Sequence, residues 1–561
     1  MIPYIIGTTG HRNLVPGDLP GIEAQIRQVL ADIRQRLPNT RLIVLSSIAE
    51  GADRLTAQTA LKLGWELWCV LPTSAAEYEK DFTSEESRAE FHQLLVRAVR
   101  VVNASELSGH ASDAADRPQI YVDAGHELCR LSHAILAVWD GQASNGPGGT
   151  AEVVRSFLTG HFPGASRSGV SFPDCGSVFH VSVRSVADAD PRHGVAQLLP
   201  HTSDDSAKPL FQGRQSEVRH SIEEGLEALD RFNRLASEEP PEPAMAASQV
   251  LPEGNAWQKD PLLTQWLGIY SRSEKTSAQA NRRRERSLIL VVLLFAVFML
   301  FSMIYGGIVT EVWPLWAGMS SLGVAFALYW WHRRAGVDEA WAGARALTEF
   351  LRVRIMWRSS GVNDDIHFSV ADEHITPIDW LGIATRWIDN EARLQPPSFP
   401  TNEETRCTIA THWINGQLDY FSDRQNKIAH HRRRANRLAL ASTVCVALAL
   451  LAYVVSVLLD YVLSPQGREH ALQVTAWSMF GFWALLSFAA VVAAYSGIKA
   501  HAEHESEYSS SLLKFRLARA AMQRSIGPAL VSLLSGLGRA AIRETAGWLR
   551  LHRGRPLRLP F

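Results

Sequence analysis

Three short polar segments hold the residue types that do chemistry. The first is Gly7-Thr8-Thr9-Gly10-His11-Arg12. Glycine lets a ligand approach the backbone closely, and Thr and Arg side chains bind phosphate; a plain tight turn uses the same residues. The second is Ser46-Ser47-Ile48-Ala49-Glu50-Gly51-Ala52-Asp53-Arg54. At the start of a helix these residues stand beside free N–H groups that attract an anion, although Asp53 there also suits a helix cap. The third is Asp140-Gly141 followed by Gly146-Pro147-Gly148-Gly149-Thr150-Ala151-Glu152. A glycine loop opening a helix, with an acid close behind, can hold phosphate at the loop and ribose hydroxyls at the carboxylate. The candidate ligand contacts are therefore Gly7, Thr9, Gly10, His11 and Arg12, then Ser47, Glu50, Gly51 and Asp53, then Asp140, Gly148, Gly149, Thr150 and Glu152. No metal site or resident cofactor is expected.

The elements around these segments place each at one end of a strand. Apolar runs at Pro3–Gly7, Arg41–Leu45, Glu66–Leu71, Val101-Val102, Ala134–Trp139 and Ser177–Val183 read as strands, the last closing the sheet. Helical patterns alternate with them at Gly21–Leu37, Glu50–Leu63, Glu85–Val99 and Val122–Ser132. Continuous apolar strands alternating with helices predict a doubly wound α/β domain with a mainly parallel sheet. Ligands in such folds sit beyond the carboxyl ends of the strands, where all three segments fall.

The remainder of the chain has a different character. Ser287–Thr310, Val312–Trp331, Leu438–Leu459 and Ala471–Ile498 contain no Asp, Glu, Lys or Arg. Each reaches the roughly 20 residues that cross a bilayer core, so an all-α membrane domain with four transmembrane helices is predicted. Arg282, Arg283, Arg284 and Arg286 precede the first run; Arg333 and Arg334 follow the second. Arg432, Arg433, Arg434 and Arg437 precede the third, and Lys499 follows the fourth. The positive-inside rule puts both termini in the cytoplasm of a multi-pass inner-membrane protein. Uncharged spans speak against active transport. Gly318, Ser320, Ser321 and Gly323 suit close helix packing.

The two membrane halves repeat. Tyr270 precedes the triplet Arg282–Arg284 by the same spacing that separates Tyr420 from Arg432–Arg434. Met356-Trp357-Arg358-Ser359-Ser360-Gly361 is echoed by Met522-Gln523-Arg524-Ser525-Ile526-Gly527. The expected organisation is a ligand domain over 1–235, a Pro-rich acidic linker over 236–260, and two hairpin units over 261–400 and 401–561, the second ending in a basic tail.

With 56 basic and 57 acidic residues the net charge is −1, which argues against a nucleic-acid partner. Cys69, Cys129, Cys175, Cys407 and Cys445 form no C-x-x-C pair, which argues against a disulfide scaffold or zinc cluster. Met1–Gly7 shows no basic region and no cleavage pattern, so no signal peptide is expected.

Two resemblances sharpen this reading. The N-terminal domain resembles the SLOG superfamily, a Rossmann-like group that includes phosphoribohydrolases. Ser47–Leu61 is similar to its second-strand motif, and Pro147-Gly148-Gly149-Thr150-x-Glu152 to the P-G-G-x-G-T-x-x-E motif, with a shorter glycine loop. The resemblance implies phosphate contacts from Gly148, Gly149 and Thr150 and a ribose contact from Glu152. Pro261–Gly527 resembles two copies of the SLATT family of two-transmembrane effector domains. Together they imply a membrane effector that senses a nucleotide- or NAD-derived signal and forms or disrupts a pore, as a homo-oligomer, in bacterial antiviral or conflict defence. The alternative is a membrane-anchored nucleotide N-glycosidase in which Glu152 is catalytic.

Overall fold

The computed structural model describes residues 1–109, 117–143, 147–160, 176–184, 194–199, 215–254, 256–307, 311–371, 379–398, 402–462, 480–482, 485–486 and 501–553. Its first part is a seven-stranded sheet: β1 (Tyr4–Gly10), β2 (Leu42–Ser46), β3 (Glu66–Leu71), β4 (Arg100–Asn103), β5 (Ala134–Trp139), β6 (Val178–Ser182) and β7 (Gly194–Leu198). The spatial order is β4-β3-β2-β1-β5-β6-β7. All neighbours are parallel except β6 and β7, which pair antiparallel. The chain builds outward from β1 to β4, then returns to the other side of β1 as β5. The β1/β5 seam is thus the topological switch point, where a crevice opens at the strand ends. β1, β2 and β5 are apolar and buried over most of their length, as strands covered on both faces must be.

The helices between the strands are α1 (Leu19–Arg36), α2 (Ala52–Lys62), α3 (Ala75–Tyr78), α4 (Glu85–Arg97), α5 (Ala104–Ser108), α6 (Arg117–Leu131) and α7 (Thr150–Thr159). In α1, Ile22, Ile26, Val29, Leu30 and Ile33 form one buried face, the amphipathic stripe that its spacing predicts. Two expectations need correction. The predicted Ser177–Val183 strand does not close the sheet: β7, short and largely exposed, lies outside it. Glu50 and Gly51 precede α2 rather than lying in it, because Gly51 takes φ +79°, a left-handed conformation that cannot continue a helix.

The rest of the described chain is helical: α8 (Gln215–Ser237), α9 (Pro243–Val250), α10 (Pro261–Gly307), α11 (Trp313–Arg334), α12 (Val337–Ser360), α13 (Ile366–Ala371), α14 (Trp380–Leu394), α15 (Glu403–Val462), α16 (His501–Met522) and α17 (Pro528–Arg553). The expected linker is in fact structured. α9 buries Ala246, Ala247 and Val250, and Glu242 is held by Lys275 at 2.6 Å and by a hydrogen bond from its N–H to Ser271 Oγ at 2.9 Å. An acidic, proline-rich composition is here a docking strap, because its carboxylate meets a lysine on α10.

Among the described residues two helices, not four, are long and apolar enough to cross a membrane: Pro261–Tyr305 within α10 and Asn436–Leu458 within α15. α11 is a full helix antiparallel to α10, but glycine, serine and four tryptophans dilute its apolarity. The Ala471–Ile498 run falls almost wholly outside the described residues, as do Gly146, the tail from Gly554 onward and residues 161–175 and 200–214. Ile289, Leu293, Val297 and Leu300 are exposed along α10; Leu440, Val444, Leu448 and Leu451 are exposed with the same spacing along α15. Long stripes of exposed aliphatic side chains suit a lipid environment rather than water. Two of the small residues of α11 pack against α10: a Cβ on Gly318 would lie 3.3 Å from the Phe298 carbonyl oxygen, and Ser321 Oγ donates to Leu294 O at 2.9 Å, whereas Ser320 is exposed and Gly323 faces open space.

Candidate functional site

A cleft of about 950 Å³ opens at the carboxyl ends of β1 and β5. Parallel pairing aligns Gly10 with Val138, so the segments leaving the two strands run side by side. His11 N–H donates to Val138 O at 3.0 Å, and Ala52 N–H donates to His11 O at 3.0 Å. These bonds tie the first polar segment to the third and to the start of α2. The three segments, distant in sequence, therefore line one cavity: Thr9, Gly10, His11 and Arg12 from the first, Ser47 and Asp53 from the second, Asp140, Gly148, Gly149 and Thr150 from the third.

The two strand-end loops meet through side chains as well. Thr9 Oγ1 donates to Thr150 Oγ1 at 3.3 Å. His11 Nε2 lies 3.2 Å from Asp140 Oδ1 and accepts from Asp140 N–H at 3.3 Å. The Arg12 guanidinium stands 5.7 Å from the centre of the Tyr121 ring. Burial works against its charge, but Tyr78, Tyr121 and Asp53 outweigh burial and hold the pKa above the ordinary value. The start of α7 supplies unpaired N–H groups beside Gly149, and a partial positive charge, to the same space.

The turn between β2 and α2 is held in a strained shape. Ile48 takes φ +47°, a left-handed conformation rare for a β-branched residue. Ser46 Oγ accepts from Ile48 N–H at 2.9 Å, and the buried Arg54 donates Nε–H to Ile48 O at 3.1 Å. Arg54 is itself anchored to Glu90 at 2.9 Å. At Gly51 a Cβ would collide with the carbonyl oxygens of Arg12 and His11, so only glycine lets the two loops touch. This bracing directs Asp53 into the cleft. Its carboxyl is pushed up to about 7 by burial, against the opposing pull of the Ala49 N–H, Arg12 and Arg54. Near neutral pH the site therefore offers both a donor O–H and a carboxylate here. Asp53 Oδ1 and Thr8 Oγ1 are buried with no hydrogen-bond partner among the described residues, and both residues line the cavity. Buried polar atoms normally find partners, so two orphans at a cleft wall suit an absent ligand.

Four expected contacts have other work. Gly7 lies under α6, where a Cβ would strike Ser132 Oγ. Gly51 shapes the loop crossing. Glu50 accepts a hydrogen bond from Ser87 Oγ, away from the cleft. Glu152 Oε2 accepts from Gly148 N–H at 2.8 Å, fixing the glycine loop, whose Gly148 takes φ +73°. Conversely, Tyr78, Tyr121 and Trp139 line the cleft and were not singled out from sequence. Trp139 ends a predicted strand and was legible as a strand-end residue. Tyr78 and Tyr121 belong to helices whose approach to β1 is a tertiary matter. Among the described residues no group of His, Cys, Asp and Glu is placed to hold a metal ion.

One wall of the cleft continues into the helical region. α6 lines the cavity through Tyr121, Ala124, Gly125 and Leu128. Its C-terminal carbonyls are gripped by α14: Arg386 Nε–H donates to Arg130 O at 3.0 Å, and Asn390 Nδ2–H to the same oxygen at 2.9 Å. Arg393 pairs with Glu127 of α6 at 2.9 Å, and Glu391 accepts a bidentate pair from Arg100 of β4 at 2.7 and 3.0 Å. Cations at a helix C-terminus meet its partial negative charge, and the fork geometry fixes orientation. No protein-family model, curated protein or solved structure matches the chain.

Proposed function

We propose that this chain is a membrane effector whose α/β domain binds a nucleotide-derived small molecule in the strand-end cleft and passes its occupancy to membrane hairpins. The observation that carries the reading is α6: one helix forms a wall of the cleft and is clamped at its far end by α14 of the helical region. A ligand that favours one position of α6 would bias the helical region by its difference in affinity for the two states. Amide-rich and hydroxyl-rich loops beside Arg12 suit phosphate, and Tyr78, Tyr121 and Trp139 offer faces for a base.

In this reading α10 and α11 form one transmembrane hairpin, and α15 and the run over 471–498 form the other. The arginine collars keep both termini in the cytoplasm of an inner-membrane protein. Assembly of several copies would form or disrupt a pore, in line with the SLOG and SLATT resemblances and a role in antiviral or conflict defence. Glu152, engaged with Gly148 N–H, supports loop support rather than bond cleavage. The test is dye release from liposomes carrying the purified full-length protein, across a panel of cyclic nucleotides and NAD-derived compounds. Release with one compound, lost in Arg12→Gln, is the expected result. Vesicles that stay tight throughout would sink the effector reading. Free base released from a nucleotide, and lost in Glu152→Gln, would instead identify an N-glycosidase.

A further inference from the structure

A second cavity, of about 760 Å³, lies where the α/β domain meets the first hairpin. Its walls come from the C-terminal end of α1, from α8, from α10 just before its uncharged run, from the end of α11 and from the start of α12. Five arginines line it: Arg36, Arg231, Arg234, Arg283 and Arg334. Two acids also line it, Glu227 and Asp230, so the arginines outnumber them; Asp230 is engaged, accepting from Asn39 N–H at 2.8 Å, Asn39 Nδ2–H at 2.7 Å and Thr40 Oγ1–H at 2.8 Å. Arg36 pairs with Glu223 at 2.9 Å, and Arg334 sits over the Trp330 ring at 3.6 Å. Arg231, Arg234 and Arg283 have no carboxylate within ion-pairing distance among the described residues. The Arg231 guanidinium lies against Gly336, the left-handed corner between α11 and α12, where any side chain would displace it.

The height of this cavity is informative. Arg283 stands one turn before the uncharged run of α10, and Arg334 follows that of α11, so the cavity sits at the level of the headgroups if the hairpin crosses a bilayer. Trp330 and Trp331 are exposed beside it, as tryptophans at a membrane interface are. Several unpaired guanidiniums in one concave site leave a positive charge that a phosphodiester would neutralise with bidentate hydrogen bonds. A soluble anion would fill the polar part only; a phospholipid would also lay its chains along exposed α10 and α11.

We propose that this cavity binds the headgroup of an anionic phospholipid, joining α8 of the ligand domain to the α10–α11 hairpin. The proposal rests on the membrane reading above, and the two fail differently. Full-length protein is reconstituted in phosphatidylcholine nanodiscs with increasing fractions of phosphatidylglycerol, which makes the bilayer surface anionic, and the unfolding temperature is followed. The expected result is a saturable rise with phosphatidylglycerol. More than half of it should be lost in Arg231→Gln/Arg234→Gln/Arg283→Gln and retained in Arg432→Gln/Arg433→Gln/Arg434→Gln, which removes equal charge at the other collar. Glycerol 3-phosphate added to pure phosphatidylcholine discs should give no rise. An equal rise in both triple variants, or a full rise with glycerol 3-phosphate, overturns the proposal. If the cavity variant does not fold, native mass spectrometry of lipid retained by the unmodified protein decides: no phosphatidylglycerol bound also overturns it. Protein extracted from vesicles by alkaline carbonate would refute the membrane reading itself.

Discussion

Two helical regions whose sequences echo each other, 261–400 and 401–561, place their charge differently. In the first, the helix that trails the hairpin, α12, is buried along most of its second half, and Arg354 and Arg358 lie inside. Arg358 pairs with Asp260 at 2.8 Å, and Asp260 in turn caps α10 by accepting from Leu262 and Leu263 N–H at 3.0 and 3.1 Å. In the second region the matching residues Gln523 and Arg524 lie just past the end of α16 and are exposed. The repeat tyrosines converge on one helix: Tyr270 accepts from Arg352 at 2.8 Å and Tyr420 from Arg345 at 2.7 Å, with Glu349 between the two arginines. The segment under the α/β domain thus has its polar groups committed to buried partners, whereas its sequence counterpart near the end of the chain does not. The lesson is that burial, rather than motif, decides what a repeated arginine does.

Substitutions at equivalent positions break this comparison directly. Trp357 is fully buried, packs on Gly538 and donates Nε1–H to Leu534 O at 3.1 Å. Trp357→Ala should destabilise the protein by about 3–5 kcal/mol, whereas Gln523→Ala should stay within about 0.5 kcal/mol; chemical denaturation of the solubilised chain reads both. Arg358→Ala strands the Asp260 carboxylate in the core and should cost about 3–5 kcal/mol. Arg524→Ala should leave the midpoint near that of the parent, and comparable losses at both sites would dissolve the distinction.

The same contrast between buried and exposed charge gives a pH dependence in the α/β domain. Burial raises the Asp53 carboxyl to about 7, so the folded state holds its proton more tightly than the unfolded chain. That contribution is fully present below pH of about 4, declines by up to about 1.4 kcal/mol per pH unit as pH rises towards 7, and is gone above. Asp53→Asn should flatten this part of the stability profile, as followed by thermal unfolding between pH 4 and 8. The smallest effect sharpens the tyrosine pair. Tyr270→Phe should cost about 1–2 kcal/mol by leaving Arg352 short of a buried acceptor. Tyr420→Phe, at a half-buried position, should cost less, and equal unfolding midpoints would argue against an asymmetric core.

Most of the sheet was legible because strand formation there follows from local apolar runs. Glu66–Leu71 and Ala134–Trp139 lie at their predicted places, and Leu42–Ser46 is displaced by one residue from the predicted Arg41–Leu45. β7 was not, since Gly194-Val195-Ala196-Gln197-Leu198 is a short edge strand with little apolar burial to mark it. The site was legible as three segments converging at strand ends. The roles of its acids were not: Glu50 and Glu152 are the residue types that bind ribose, yet Ser87 and Gly148 occupy them. Asp53, equally suited to cap α2, instead faces the cleft because Arg54 and Ser46 hold Ile48 in its turn.

The amino-acid sequence alone determined the alternation of strands and helices, the polar segments at the strand ends, the uncharged runs and the arginines beside them. These are properties of neighbouring residues, set by side-chain periodicity and hydropathy. Only the tertiary structure decided which acid faces the cleft, which arginines are buried in pairs, that α6 joins the cleft to α14, and that α1, α8, α10, α11 and α12 enclose a basic cavity. Each of these brings together residues far apart in the chain, and their energies depend on burial and distance, which no local pattern specifies.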